Sequence, residues 1–193
     1  MTAELKEYGM EKLYFDIELP LCDVLYRMEK EGIAVDRATL DAFGKMLAQR
    51  IDDCEKLIHS YAGGPFNINS PKQLGVLLFE TLGLPHGKKT KTGYSTNVEV
   101  LEKLKDKHPI IPAIMDYRML TKLKSTYADG LMKVIDTDGR VRTTFQNLVT
   151  ATGRLSSTEP NLQNIPVRTD LGAEIRKMFV PKPGHVLVDA DYS

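Results

Sequence analysis

Three short segments late in the sequence combine residue types that could bind a nucleic acid or a metal ion. The first, residues 150–157, places Gly153 beside Arg154 among small hydroxyl residues. A glycine lets an extended backbone approach a ligand closely, and a guanidinium can donate two parallel hydrogen bonds to phosphate oxygens or a base edge. The same pattern is equally typical of an arginine in a structural salt bridge.

The second segment, residues 160–168, is rich in side-chain amides and is bracketed by prolines. Three amides fall within four residues: Asn161, Gln163 and Asn164. Asn and Gln can hydrogen-bond base edges, including the minor-groove acceptors that every base pair shows. A loop held by hydrogen bonds from its own Asn side chains is the alternative interpretation.

The third segment closes the chain with a run of apolar residues followed by Asp189 and Asp191. Residues two apart in a strand point the same way, so both carboxylates would face one side. Carboxylate oxygens suit Mg²⁺, which takes one or two of them together with substrate phosphates. Two solvent-exposed carboxylates without a ligand remain the competing interpretation.

Charge is balanced overall but uneven along the chain. The 193 residues carry 26 basic and 26 acidic side chains, which argues against a uniformly basic nucleic-acid-binding protein. Residues 86–126 carry nine basic against four acidic side chains, whereas residues 1–66 carry eight against thirteen. The middle of the chain therefore presents either a positive surface for a ligand or a lysine-rich helix face in water.

Helical periodicity dominates the first two thirds of the chain. Apolar residues three or four apart predict a helix over 17–28, ended by Gly32, and a longer helix over 40–61, ended by Gly63. The average spacing in the longer helix is near the ~3.5 residues of a coiled coil, which indicates lengthwise packing against a partner helix.

Further helices are indicated by their starting residues. Ser70 with Gln73, and Thr96 with Glu99, have the spacing of capping boxes that satisfy the first backbone amides of a helix. Another helix is predicted to begin near Pro112. The lysine-rich segment 87–93 between these helices has no apolar anchor and is expected to form an exposed loop.

The pattern changes near residue 136. Apolar and polar residues alternate over 141–146, residues 150–152 are rich in β-branched types, and the apolar run over 185–191 predicts a buried strand. The predicted fold class is therefore α+β, with a mainly helical part followed by a partial antiparallel sheet.

Composition also disfavours several classes of protein. Cys22 and Cys54 lack a C-x-x-C spacing, so we expect free thiols in a reducing compartment. The four histidines are scattered, which does not favour a zinc site. No apolar run approaches the ~20 residues of a membrane helix, and the charged N-terminus does not read as a secretory signal, so no membrane partner is expected.

Taken in order, the three segments resemble the palm motifs of family A DNA polymerases of bacteria, almost letter for letter. Residues 66–74 and 123–127 resemble the thumb of that family, and residues 21–36 resemble the helix that enters its polymerase region. The resemblance covers essentially the whole chain. It implies a leading helix over 1–36, a helical thumb over 37–135, and the N-terminal part of the palm over 136–193, ending in the first catalytic-aspartate motif.

The resemblance also implies roles for individual residues. Asp191 would be catalytic and a Mg²⁺ ligand, with the backbone of Tyr192 as a second ligand. Three residues would lie near the primer terminus and the incoming nucleotide: Arg154, Tyr192 and Ser193. The remaining matched positions would contact DNA: Asn67, Ser70, Lys72, Lys88, Lys89, Lys91, Lys122, Lys124, Ser125, Thr126, Asn161, Gln163 and Arg168.

As a whole, the resemblance implies a fragment of a DNA-directed DNA polymerase of replication and repair. Such an enzyme extends a DNA primer on a template from deoxynucleoside triphosphates, with two Mg²⁺ ions, as a monomer in the bacterial cytoplasm at the nucleoid. The sequence shows no counterpart of the fingers or of the second catalytic aspartate. We therefore expect this chain by itself to bind primer–template DNA without polymerising.

Two other functions are consistent with the residues. A non-enzymatic helical DNA-binding module would show duplex affinity that falls steeply with salt. A protein-interaction scaffold built on the long helix would form a concentration-dependent dimer and would lack affinity for DNA.

Overall fold

The computed structural model describes residues 2–87, 93–166 and 169–192, and it confirms an α+β protein dominated by helices. These residues separate into two compact units. The first unit combines Met1–Ala42 with Tyr127–Ser193, and the second is Phe43–Thr126. The division into a leading helix, a thumb and a partial palm, with boundaries at 36 and 135, remains a prediction.

Helices make up most of the described residues. Short π-helical turns at Tyr14–Glu18, Leu77–Thr81 and Lys124–Ala128 continue three of them. In chain order the helices are α1 (Thr2–Glu7), α2 (Glu11–Leu13), α3 (Leu19–Glu31), α4 (Arg37–Ala62), α5 (Pro71–Val76), α6 (Val98–Leu104), α7 (Ile110–Leu123), α8 (Asp129–Val134) and α9 (Asp170–Lys177).

The strands are short and pair antiparallel. They are β1 (Ile33–Val35), β2 (Arg140–Val141), β3 (Thr144–Gln146), β4 (Ser156–Thr158) and β5 (Phe179–Val180). One sheet has the order β2-β1-β5, with Ile33 opposite Val141 and Val35 opposite Phe179. In the other sheet β3 pairs with β4, and Phe145 lies opposite Ser157.

The capping prediction is right at one helix and displaced at the other. Ser70 caps α5, because its hydroxyl oxygen accepts from the Gln73 backbone N–H at 3.4 Å. The predicted cap at Thr96 with Glu99 is wrong: Asn97 caps α6, with its Oδ1 accepting from the Val100 N–H at 3.0 Å. Thr96 is instead buried and hydrogen-bonded to an arginine of α7.

Unit Phe43–Thr126 is held by apolar packing among its helices. Side chains that are fully buried in it come from α4, α5 with its π-helical continuation, α6 and α7: Ile58, Leu74, Leu78, Leu101, Ile110, Ile111 and Ile114. The apolar face predicted for the helix over 40–61 is also buried in this unit at Phe43 and Leu47. The positive φ angle of Gly63 ends α4, as the sequence indicated.

In the other unit, two arginines hold the C-terminal end of α3 against β2. Arg140 donates to the backbone oxygens of Glu31 and Gly32 at 2.6 and 2.8 Å, and Arg142 donates to that of Lys30 at 3.1 Å. These bonds satisfy carbonyl groups that a helix end leaves without an intrahelical partner.

Three strand predictions need correction. Residues 185–192 are not a buried strand: they are irregular and exposed, and Val186 and Val188 expose 78% and 84% of their surface. A strand requires a neighbour for its backbone groups, and none of the described strands pairs with this segment. Residues 150–152 form a turn, and the alternating run 141–146 is divided between β2 and β3.

Candidate nucleic-acid interface

The predicted DNA-contacting residues of unit Phe43–Thr126 form two exposed polar groups. The first lies where α5 begins. The Asn67 side chain accepts from the Asn69 N–H at 3.0 Å, and the Asn67 N–H donates to Gln73 Oε1 at 2.9 Å. Lys72 is exposed on the first turn of α5, one residue after Pro71. These hydrogen bonds hold the turn, and the Lys72 side chain extends from it into solvent.

The second group lies at the end of α7. Lys122, Ser125 and Thr126 are exposed and share one helix face, since they are three or four residues apart. Leu123 and Tyr127 are buried on the other side of the same helix. The polar face thus points away from the core, as a surface that contacts a phosphate backbone requires. Lys124, the remaining predicted contact here, is half-buried.

Five predicted contacts lie outside the described residues: Lys88, Lys89, Lys91, Arg168 and Ser193. The residues on either side of 88–92 are described. His86 packs against Phe79 and Tyr94, with ring centroids 5.7 and 4.9 Å apart. Residues on both sides of the lysine-rich segment therefore belong to one aromatic cluster.

Not every basic residue of the 86–126 segment is available to a ligand. Arg118 is half-buried in α7 and donates to the backbone oxygen and the hydroxyl of Thr96. Burial lowers the pKa of its guanidinium. Arg118 therefore holds Thr96, just before α6, by hydrogen bonds, whereas Lys103, Lys105 and Lys107 are exposed to solvent.

In the unit that contains the palm-like motifs, Arg154 is exposed beside a tight turn. Gly153 has a φ of 74° and its N–H donates to the Thr150 oxygen at 3.3 Å, while the Thr150 hydroxyl donates to the Arg154 carbonyl. No ion pair of Arg154 is found among the described residues, so the salt-bridge interpretation of this arginine gains no support.

The amide-rich segment is held by hydrogen bonds from its own side chains, and its contact with base edges remains a prediction. Asn161 Oδ1 accepts from the backbone N–H groups of Gln163 and Asn164 at 3.0 and 3.3 Å, so the loop is held by its own side chain. Gln163 Nε2 donates to the Leu155 oxygen at 3.0 Å. Both side chains are nevertheless exposed. The NH₂ group of Asn161 and the side-chain oxygen of Gln163 make none of these bonds.

Sequence reasoning missed the side chains that support this loop from beneath. Thr143 and Ser157 are buried, and their hydroxyl oxygens are 2.7 Å apart. Buried Tyr127 donates to the Asn164 carbonyl, and burial raises the pKa of its phenol. The available signal was the position of Thr143 between Val141 and Phe145, on the inward face of an alternating run.

The C-terminal aspartates are exposed, and they do not form a complete metal site. Asp189, Asp191 and Tyr192 lie in the irregular segment after β5. Carboxylate oxygens are the right donors for Mg²⁺. Within residues 2–87, 93–166 and 169–192, however, no three His, Cys, Asp or Glu side chains are grouped so that they could hold an ion.

The described part of the chain contains no helix long and apolar enough to cross a membrane. Its two cysteines are both free thiols, Cys22 exposed and Cys54 half-buried.

Comparisons with known proteins give one consistent family. The chain is 59% identical over 182 residues to DNA polymerase I of Caldicellulosiruptor bescii, and 51% identical over 195 residues to DNA polymerase I of Bacillus subtilis. These matches cover 94% and 100% of this chain but 21% and 22% of the relatives. The chain therefore spans about a fifth of the length of these bacterial proteins.

A solved structure is similar in both sequence and fold. The POL domain of Pol1 from M. smegmatis, in complex with DNA primer-template and dNTP, matches with a TM-score of 0.88 and 44% sequence identity. The match covers 95% of this chain and 33% of that one. The profile of DNA polymerase family A matches residues 37–193. Because this profile covers most of the sequence and the relatives align with nearly all of it, the chain belongs to DNA polymerase family A.

Proposed function

We propose that this chain forms the thumb and the first part of the palm of a DNA-directed DNA polymerase, and that it binds primer–template DNA. The observation that carries the proposal is the similarity, at 44% identity, to a POL domain solved with DNA primer-template and dNTP. Most of the matched polar residues that the structure describes are exposed, Ser70 and Lys124 being half-buried, and this supports the proposal because a DNA-contacting side chain must be accessible.

The two units would contribute different kinds of contact. Lysines and hydroxyl groups supply salt-dependent affinity for the phosphate backbone without reading sequence. On this proposal they are Lys72, Lys88, Lys89, Lys91, Lys122, Lys124, Ser125 and Thr126, with Asn67 and Ser70 beside them. Minor-groove and primer-terminus contacts would come from the other unit: Arg154, Asn161, Gln163 and Arg168.

We place the nucleotide end of the site at the C-terminal segment, with Asp191 as the catalytic carboxylate and Tyr192 and Ser193 near the incoming deoxynucleoside triphosphate. When bound, the two Mg²⁺ ions of a polymerase neutralise charge on the reacting phosphate oxygens. The described residues do not complete such a site. We therefore propose that this chain by itself binds DNA without incorporating nucleotides.

The bacterial relatives favour a bacterial protein that works on DNA in the cytoplasm, and we propose that it acts there as a monomer. The alternative of an interaction scaffold built on α4 is not favoured, because the chain itself buries much of the predicted stripe. Leu40, Leu47 and Ile58 are each fully buried.

The test is duplex affinity as a function of salt. Fluorescence anisotropy would follow a labelled primer–template titrated with this chain, beside a variant with Lys88, Lys89 and Lys91 changed to Ala. Each lost phosphate contact reduces the magnitude of the slope of log K against log salt concentration by about 0.9. We therefore expect the slope for the triple variant to be shallower by about 2–3.

The matched control replaces Lys6, Lys12 and Lys133, which are exposed and outside every proposed contact. It removes the same charge and should leave the slope close to that of the unmodified chain. Equal losses in both triple variants would mean that net charge, rather than a thumb contact, drives binding. A folded chain without duplex affinity at low salt would contradict the proposed function.

A further inference from the structure

A relay of hydrogen bonds runs beneath the amide-rich loop. The Thr143 and Ser157 hydroxyl oxygens are 2.7 Å apart, and only 7% and 0% of these residues is exposed. Thr143 Oγ1 also lies 2.8 Å from the Pro160 carbonyl oxygen and 2.9 Å from that of Thr158. Ser157 Oγ accepts from the Leu162 N–H at 3.1 Å and lies 3.3 Å from the Pro160 carbonyl oxygen.

Every hydrogen of this relay has an acceptor within reach. Each hydroxyl has one hydrogen, and a carbonyl can only accept. The Leu162 N–H donates to Ser157, either hydroxyl can donate to the other, and the remaining hydrogen goes to the carbonyl of Pro160 or Thr158. The relay therefore contacts the backbone of residues 160 and 162, on either side of Asn161.

Hydrogen-bond donors and acceptors also identify which end of the Asn161 side-chain amide faces outward. Its Oδ1 accepts from two backbone N–H groups, of Gln163 and Asn164. Because a backbone N–H can only donate, the atom that meets them must be the oxygen, and the exposed end of the side chain is the NH₂ group. An NH₂ donor complements the acceptors that every base pair shows in the minor groove.

A third buried group holds the far end of the loop. The Tyr127 hydroxyl donates to the Asn164 carbonyl, and 7% of Tyr127 is exposed. A tyrosine hydroxyl is protonated at neutral pH and can donate, and burial raises the pKa of this phenol further. Thr143, Ser157 and Tyr127 are too buried to touch DNA, yet together they fix residues 160–164.

We propose that Thr143, Ser157 and Tyr127 are positioning residues that present the Asn161 NH₂ group to minor-groove acceptors of duplex DNA. This inference rests on the proposed function, since it deepens one contact of that site. A relay that only joined β3 to β4 would affect stability alone, so the experiment must separate positioning from stability.

The experiment is a double-mutant cycle on primer–template affinity. Thr143→Val removes one buried hydroxyl at nearly constant volume, and Asn161→Ala removes the amide. We expect each variant to weaken binding about fivefold, the effect of one net hydrogen bond. In the Asn161→Ala background, Thr143→Val should add less than a twofold loss, because there is no amide left to position.

Thr143→Ser is the matched control, because it restores the hydroxyl and should return affinity to within about twofold of the unmodified chain. Amide hydrogen exchange of Leu162 provides a readout without DNA: it should be faster in Thr143→Val and close to normal in Thr143→Ser. If Thr143→Val does not fold, Tyr127→Phe takes its place in the cycle, with exchange followed across 160–164.

The outcomes separate the two proposals. Binding by the unmodified chain together with additive losses from Thr143→Val and Asn161→Ala would overturn the positioning role and leave the proposed function intact. Unchanged Leu162 exchange in Thr143→Val would also overturn it. Failure of the unmodified, folded chain to bind duplex would overturn the proposed function, and with it this inference.

Discussion

Replacement of Gly172 by alanine should destabilise this protein, although the same change stabilises most helices. Gly172 lies in the first turn of α9. A Cβ added there would be 2.4 Å from the Pro166 carbonyl oxygen and 2.8 Å from its carbon, whereas ordinary Cβ contacts are 3.4 Å or longer. The backbone at Pro166 would therefore have to move by roughly 1 Å, and backbone yields less readily than the tip of a side chain.

Two opposing effects set the magnitude. Helix propensity favours alanine over glycine by about 0.8–1.0 kcal/mol. Overpacking of a close contact costs about 1–3 kcal/mol. Because the obstructing group is a backbone carbonyl, we expect the upper part of that range and a net loss of about 1–2 kcal/mol in the free energy of unfolding.

Urea unfolding followed by circular dichroism would measure this loss. The control is Ala173→Gly at the next, exposed position, where propensity acts without a clash and about 1 kcal/mol should be lost. Because Pro166 closes the amide-rich segment, Gly172→Ala should also weaken DNA binding, whereas Ala173→Gly should not. A more stable Gly172→Ala variant would refute the reasoning, since it would show that Pro166 yields at little cost.

Two further predictions concern titratable groups. Arg142 lowers the pKa of Asp138, and Lys182 lowers that of Glu31. Carboxyl groups with a lowered folded-state pKa contribute stability that is present above the unfolded-state pKa and lost as pH falls through the folded one, so unfolding free energy should decline between about pH 5 and pH 2. Arg142→Gln should flatten this decline, which urea titrations at several pH values would measure. An unchanged decline would show that the Asp138 carboxyl does not contribute to it. Burial raises the pKa of the Cys54 thiol, whereas Cys22 is exposed, so a thiol reagent at pH 8 should react first with Cys22. The fast phase should vanish in Cys22→Ser, and its persistence would contradict the assignment.

Local signals in the sequence were sufficient for most helices. The cap at Ser70 and the helix-ending Gly63 act through groups a few residues away, so neighbouring residues in the sequence are enough to predict them. The exception at Thr96 has a tertiary cause. Both Thr96 and Asn97 are residue types that can cap a helix. The Thr96 hydroxyl accepts a hydrogen bond from Arg118, 22 residues away, and Asn97 caps α6 instead.

Other features depend on groups far apart in the sequence, which no local pattern contains. The apolar run at 185–191 has strand propensity, but a strand forms only where another strand offers hydrogen bonds, and among the described residues none does so. Likewise, helical spacing was enough to predict α3, yet Val24 and Met28 on it are about half exposed, because burial depends on what packs against a helix.

The family, the order of the helices and the residue types that could contact DNA were predictable from the sequence, because motifs and capping patterns are local. How the amide-rich loop is held depends on contacts between residues that are distant in the sequence. The bonds that orient Asn161 join Thr143 to Ser157 and Tyr127 to Asn164, across 14 and 37 residues. Burial gives these hydroxyl groups a structural effect, because a polar group removed from water must find its hydrogen-bond partner within the fold.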